Sequence, residues 1–173
     1  MIATFTIPKI LDSGNDSEFN AIAKEAMAMV SGAYQAYKQN SPATSNTALD
    51  DLTPYLNYVK QDTVSLVDGR HLAGSRNCSV ANERCFPLHS GGVLHYRARQ
   101  FGGTGLTNAL NFQIDPDGIY SASTTGPGKS VEFYLYFNGR LTTRGNIEPN
   151  TQCDTNTYQP EPTYDPPWFS WSN

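Results

Sequence analysis

Three histidines and three cysteines are the residues in this chain best equipped for chemistry. His71, Cys78, Cys85 and His89 form a loose series, with His95 just beyond. Zinc asks for four such ligands at tetrahedral geometry, usually with closely spaced cysteine pairs. Six residues, Ser79 to Arg84, separate Cys78 from Cys85, a poor match to that spacing. A disulfide between Cys78 and Cys85 is the simpler reading. It closes a short polar loop, contributes roughly 2–3 kcal/mol in the chain-entropy model, and implies an oxidising compartment. Cys153 is then left over, and the alternative is three reduced, buried thiols. A serine or cysteine nucleophile needs a histidine held by an acid. No serine sits in a Gly-x-Ser-x-Gly elbow, and no pair of carboxylates has an evident reason for separated pKa values. His71, His89 and His95 alone would motivate an extracellular enzyme, and no enzyme is expected.

Other candidate motifs dissolve on inspection. Thr124-Thr-Gly-Pro-Gly-Lys-Ser130 ends like a phosphate loop. It lacks the leading glycine, contains Pro127, and precedes a strand pattern where a helix is required. Gly102-Gly-Thr-Gly105 has no strand-to-helix context and reads as a connection. Asp115 and Asp117 are weak calcium candidates, with Asp154 and Asp165 in the tail as further oxygens. No closing glutamate follows at EF-hand spacing, so Asp115 and Asp117 read mainly as turn residues. No cofactor is expected. The net charge is −4 and there is no basic stripe, which argues against a nucleic-acid partner. Charged residues are only 16%, and neutral polar residues and tyrosines fill the surface, a composition common outside the cell.

The elements that would carry these residues are legible from periodicity. Phe19, Ile22, Ala23, Ala26, Met29, Val30, Ala33 and Tyr37 recur at helical spacing. Asp16 or Ser17 is the expected N-cap, Gly14 a point where the helix loosens, and Pro42 the stop. A short second helix is expected on Leu49, Leu52 and Leu56, capped by Asn46 or Thr47, with Pro54 near its end. Val64 and Leu66 hint at a strand. Alternation then marks strands around Leu94–Ala98, Leu110–Ile114, Val131–Phe137 and Arg140–Arg144, each with one apolar face. Asp115-Pro-Asp-Gly118 and Asn138-Gly139 are the turn signals. From Gly145 onward prolines forbid regular structure, and Trp168, Phe169 and Trp171 either pin the tail or offer a contact. This gives an α+β fold: a long N-terminal helix packed on an antiparallel sheet of about four strands, with an irregular C-terminal tail. Residues 1–40 are the spine, which divides into an apolar stretch (residues 1–13) and an amphipathic stretch (residues 17–39). Residues 41–173 form the head. No segment supplies the ~20 apolar residues that span a bilayer.

The opening Ile2-Ala-Thr-Phe-Thr-Ile-Pro-Lys-Ile-Leu11, with its Ile7-Pro8 step, resembles the later portion of the N-terminal segment of type IV pilins and type II secretion pseudopilins. Residues 17–39 resemble the amphipathic second half of that helix. Asp117-Gly118 and Asn138-Gly139-Arg140 resemble strand turns of pilin-like heads. The family's prepilin cleavage site and following glutamate are missing, so the chain is expected to lack the start of the hydrophobic helix. The resemblance implies a structural subunit of a pilus or pseudopilus filament in the bacterial envelope or on the cell surface. It implies inner-membrane anchoring before assembly, and sister copies or related pilins as partners. Ile2, Phe5, Ile7, Pro8 and Ile10 would pack between subunits. The rival reading is a secreted carbohydrate- or surface-binding module built on Trp168 and Trp171.

Overall fold

The computed structural model describes residues 7–59, 71–72, 76–77, 83–116, 130–153, 165–166 and 169–171, with backbone alone for 7–15, 71–72 and 76–77. One helix, α1 (Ile7–Asn40), runs for 34 residues, about 51 Å at 1.5 Å per residue. Its buried stripe is Ile22, Ala23, Ala26, Val30, Ala33 and Tyr34, flanked by half-buried Phe19, Met27, Met29 and Tyr37. The helix passes through Gly14 without a break, and Asp16 and Ser17 lie inside it rather than capping it. Pro8 lies in the first described turn of α1. After Asn40 one more N–H, that of Ser41, reaches back to the Tyr37 carbonyl before Pro42 ends the run.

The second helical segment is a 3₁₀ helix, Leu49–Tyr55. Its cap is Ala48, not Asn46 or Thr47: the Ala48 N–H donates to Asp51 Oδ2 at 2.9 Å. The Thr47 hydroxyl is occupied instead, accepting the Thr44 N–H. Leu49, Leu52 and Leu56 are buried and join the core cluster with α1.

Two antiparallel sheets follow. A small ladder pairs β1 (His71–Leu72) with β2 (Arg76–Asn77). The main sheet is a meander of five strands in sequence order: β3 (Glu83–Pro87), β4 (Val93–Arg97), β5 (Ala109–Asp115), β6 (Val131–Tyr136) and β7 (Leu141–Thr143). The sheet therefore has five strands, where alternation suggested about four. The unforeseen strand is β3, whose Glu-Arg-Cys-Phe-Pro run shows no clean alternation and ends in proline. It lies at a sheet edge, where a missing donor is tolerated. The Val64 and Leu66 strand hint lies outside the described residues, as do Asp117 and Gly118 of one expected turn.

Period-two alternation puts Phe86, Leu94, Tyr96, Leu110, Phe112, Ile114, Val131, Phe133 and Leu135 in one cluster with the α1 stripe. Helix and sheet approach closely at Gly92, where an added Cβ would lie 2.7 Å from the Ile22 side chain. The Asn138-Gly139 turn joins β6 to β7, with positive φ at Gly139 but not at Asn138. Gly139 adopts φ +91, its N–H donates to the Tyr136 carbonyl at 2.8 Å, and Asn138 Oδ1 accepts the Arg140 N–H at 2.9 Å. Within the tail, Phe169 is buried against Phe133, with ring centroids 5.4 Å apart.

Candidate functional site

Two regions stand out as more than packing. The first is α1 itself. Among the described side chains the first packed on the head is Phe19, while Asp16, Ser17 and Glu18 just ahead are exposed. Residues 7–18 extend the helix about 18 Å before that contact. Among the described helices none is long and apolar enough to cross a membrane.

The second region is the sheet face turned away from α1. Alternation assigns it Glu83, Cys85, His95, Arg97, Asn111, Gln113, Asp115, Glu132 and Tyr134. A half-solvated sheet would leave such residues wet, yet Glu83, His95, Asn111, Gln113, Asp115, Glu132 and Tyr134 are all buried. Register lines them up in rows. Cys85 pairs with His95, His95 with Gln113, and Gln113 with Glu132. Glu83 pairs with Arg97, and Asn111 with Tyr134.

Each buried glutamate on this face is held twice. His95 Nε2 lies 2.6 Å from Glu83 Oε2, and Arg97 Nε donates to Oε1 at 2.5 Å. Asn111 Nδ2 donates to Glu132 Oε1 at 2.9 Å, and Arg144 Nη1 donates to Oε2 at 3.1 Å. Burial pushes the Glu83 carboxyl up, but hydrogen bonds and positive charge from His95, then Arg97, outweigh it and hold it below its ordinary value. Tyr134 is pushed far above the ordinary phenol range, by burial first and by the neighbouring Glu132 second.

That arrangement suits fixed charge better than proton traffic. A general acid or base works best with a pKa near the working pH, and Glu83 is driven the other way. The sulfur nearest His95 in register, that of Cys85, is disulfide-bonded and so offers no thiolate.

The other sequence candidates fall as follows. Cys78, the expected partner of Cys85, lies outside the described residues. Cys153 carries a buried thiol packed with Ala109, Tyr134 and Tyr136. Asp115 is buried at the end of β5, and its proposed companion Asp117 is outside the described residues. Among the described residues no three His, Cys, Asp or Glu side chains gather to hold a metal ion. Asp165 is engaged as an acceptor from Thr143 and Gly145. His89 is exposed in the turn after β3, while His95 is enclosed on β4. The Gly102-Gly103-Thr104-Gly105 run is a loop, with Asn108 Oδ1 accepting the Gly105 N–H. The loop 124–129 is outside the described residues. Ile2 and Phe5 are too, while Ile7, Pro8 and Ile10 lie in the first turns of α1.

Sequence reasoning missed the double grip on Glu83 and Glu132. A usable signal was present: the outward positions of the central strand β5 are Asn111, Gln113 and Asp115, without a lysine or arginine to suit open water. In comparisons with known proteins, no family model, no curated protein and no solved structure matches this chain.

Proposed function

We propose that this chain is a structural subunit of a type IV pilin-like or pseudopilin-like filament in a bacterial envelope, without a turnover step. The observation that carries the reading is the division of labour along α1. From Phe19 onward the helix packs on the head, and the 12 residues before it continue the same helix. A helix rarely persists without a packing surface, since propensity alone seldom sustains it in water. A neighbouring copy supplies such a surface. The α+β architecture, with one spine helix and an antiparallel meander packed on its second half, is compatible with that use.

In this reading Ile7 and Ile10, with Ile2 and Phe5 ahead of them, face sister subunits, and the head decorates the filament. The doubly held glutamates keep the far side of the sheet ordered instead of binding a ligand.

The test is made in the native host, with the chain produced from its own locus and its own flanking sequence. An epitope is inserted at Thr104–Leu106, which is exposed. The tagged chain is expected in sheared surface filaments or in an envelope-bound assembly. Recovery only as a monomer in the medium would count against the filament. Glycan binding that is lost in Trp171→Ala would then favour the surface-binding module, a reading that the 43% exposure of Trp171 keeps testable.

A further inference from the structure

We propose that Asn138 is a self-modification site: its side-chain amide and the Gly139 backbone nitrogen are an imide-forming pair that the β6–β7 hairpin holds latent. Asn138-Gly139 is the one Asn-Gly pair in the chain. Glycine has no Cβ to screen its own nitrogen, so that nitrogen can attack the preceding asparagine Cγ. The step balances within the chain and water. A bond forms between Gly139 N and Asn138 Cγ, the Cγ–Nδ2 bond breaks, and the amide leaves as ammonia with the proton from Gly139 N. Water then opens the five-membered imide at either carbonyl. The product is aspartate or isoaspartate, the second with an extra methylene in the main chain.

The hairpin prepares one half of this reaction and blocks the other. Asn138 is exposed, so departing ammonia and entering water have free access. Its Oδ1 accepts the Arg140 N–H at 2.9 Å, a donor placed where negative charge develops when Cγ is attacked. The nucleophile is locked. The Gly139 N–H donates to the Tyr136 carbonyl at 2.8 Å, and the Tyr136 N–H donates across the loop to the Arg140 carbonyl at 2.8 Å. Phe137, just before the pair, is clamped from both sides. Its N–H donates to the Asn108 carbonyl at 2.9 Å, and its carbonyl accepts the Tyr34 hydroxyl of α1 at 2.7 Å. The same helix closes over the glycine: a Cβ at Gly139 would lie 3.1 Å from Gln35 Nε2 and 3.5 Å from Lys38 Nζ. The reaction therefore waits on opening of residues 136–140, and α1 holds that opening shut. Isoaspartate lengthens the loop and cannot keep both Tyr136 bonds, so β7 then loses its register on β6. The site records, irreversibly, how often the hairpin opens, whatever assembly the chain enters.

The experiment ages the full chain in buffer and in guanidinium chloride, and follows Asn138 by peptide mapping that separates asparagine, aspartate and isoaspartate. Conversion in the folded chain is expected to be slower than in denaturant by about tenfold or more, as for a backbone group released only by local opening. Tyr34→Phe keeps the ring and removes the clamp on Phe137, and is expected to speed conversion in buffer about fivefold, as for one lost hydrogen bond. Tyr96→Phe is the control for general loosening, since that buried hydroxyl donates to Asp50 Oδ1 at 3.0 Å, away from the hairpin. It is expected to convert at the parent rate. Equal rates in buffer and denaturant, no acceleration in Tyr34→Phe, or the same acceleration in Tyr96→Phe would overturn the proposal.

Discussion

The two stretches of α1 share one backbone, and the later one carries the described contacts with the sheet. Residues 19–37 bury a stripe of small and medium apolar side chains, Ala23, Ala26, Val30 and Ala33, that lets the sheet come close. Residues 7–18 continue the same helix, and the described side chains nearest that front, Asp16, Ser17 and Glu18, face water. The difference teaches that helix continuity and helix packing are separate facts, fixed by different residues.

The sharpest way to break this comparison is to place the same charge in each stretch. Val30→Asp puts an unpaired carboxylate at a fully enclosed position and is expected to unfold the head, a loss above about 4 kcal/mol. On the proposed division of α1, Ile10→Asp leaves urea stability within about 0.5 kcal/mol while preventing assembly. Equal losses of stability from both changes would erase the distinction.

Glu83→Ala tests the far face of the sheet. Removing one partner of a buried ion pair is expensive, but the Arg97 side chain is 42% exposed, so the expected loss is about 2–3 kcal/mol. The pH dependence has a definite sign. The Glu83 carboxyl sits lower in the folded chain than unfolded, so its contribution is complete above the unfolded value and is lost as pH falls through the folded one. Denaturation midpoints of the parent should drop on the acid side more steeply than those of Glu83→Gln.

Two changes of about 1 kcal/mol probe local supports. Gly139→Ala forces a Cβ into a left-handed conformation and should cost at least that much in thermal unfolding. Tyr34→Phe removes the hydrogen bond to the Phe137 carbonyl and should cost about 1 kcal/mol. In the parent, Tyr34 should ionise late in an ultraviolet titration, since burial, then the nearby Tyr37, push its phenol up to about 12. The smallest effect has the opposite sign. An added Cβ at Gly32 meets nothing within 4 Å, so Gly32→Ala should stabilise the head by about 0.5–1 kcal/mol.

Much of this was legible in the sequence because period carries burial. The α1 stripe, the inward residues of β4, β5 and β6, and the Asn138-Gly139 turn follow from spacing and turn chemistry alone. The start of α1 did not, because Asp16 and Ser17 are good caps by type and nothing local says that the helix already exists before them. Strand β3 was hidden because only Phe86 of its residues reaches the helix-side core, and its glutamate and arginine look like loop. The far face of the sheet was misjudged for a physical reason. Polar residues at alternate positions predict water, and only tertiary pairing, Glu83 with His95 and Arg97 and Glu132 with Asn111 and Arg144, makes their burial tolerable.

The most direct measurement is site-specific photo-crosslinking in the native host, with a photoreactive residue at Asp12 in one strain and at Ile22 in another. Copy-to-copy adducts from position 12, with adducts from position 22 confined within one chain, are the predicted result. Position 12 yielding no adduct with a sister or related subunit would contradict the account.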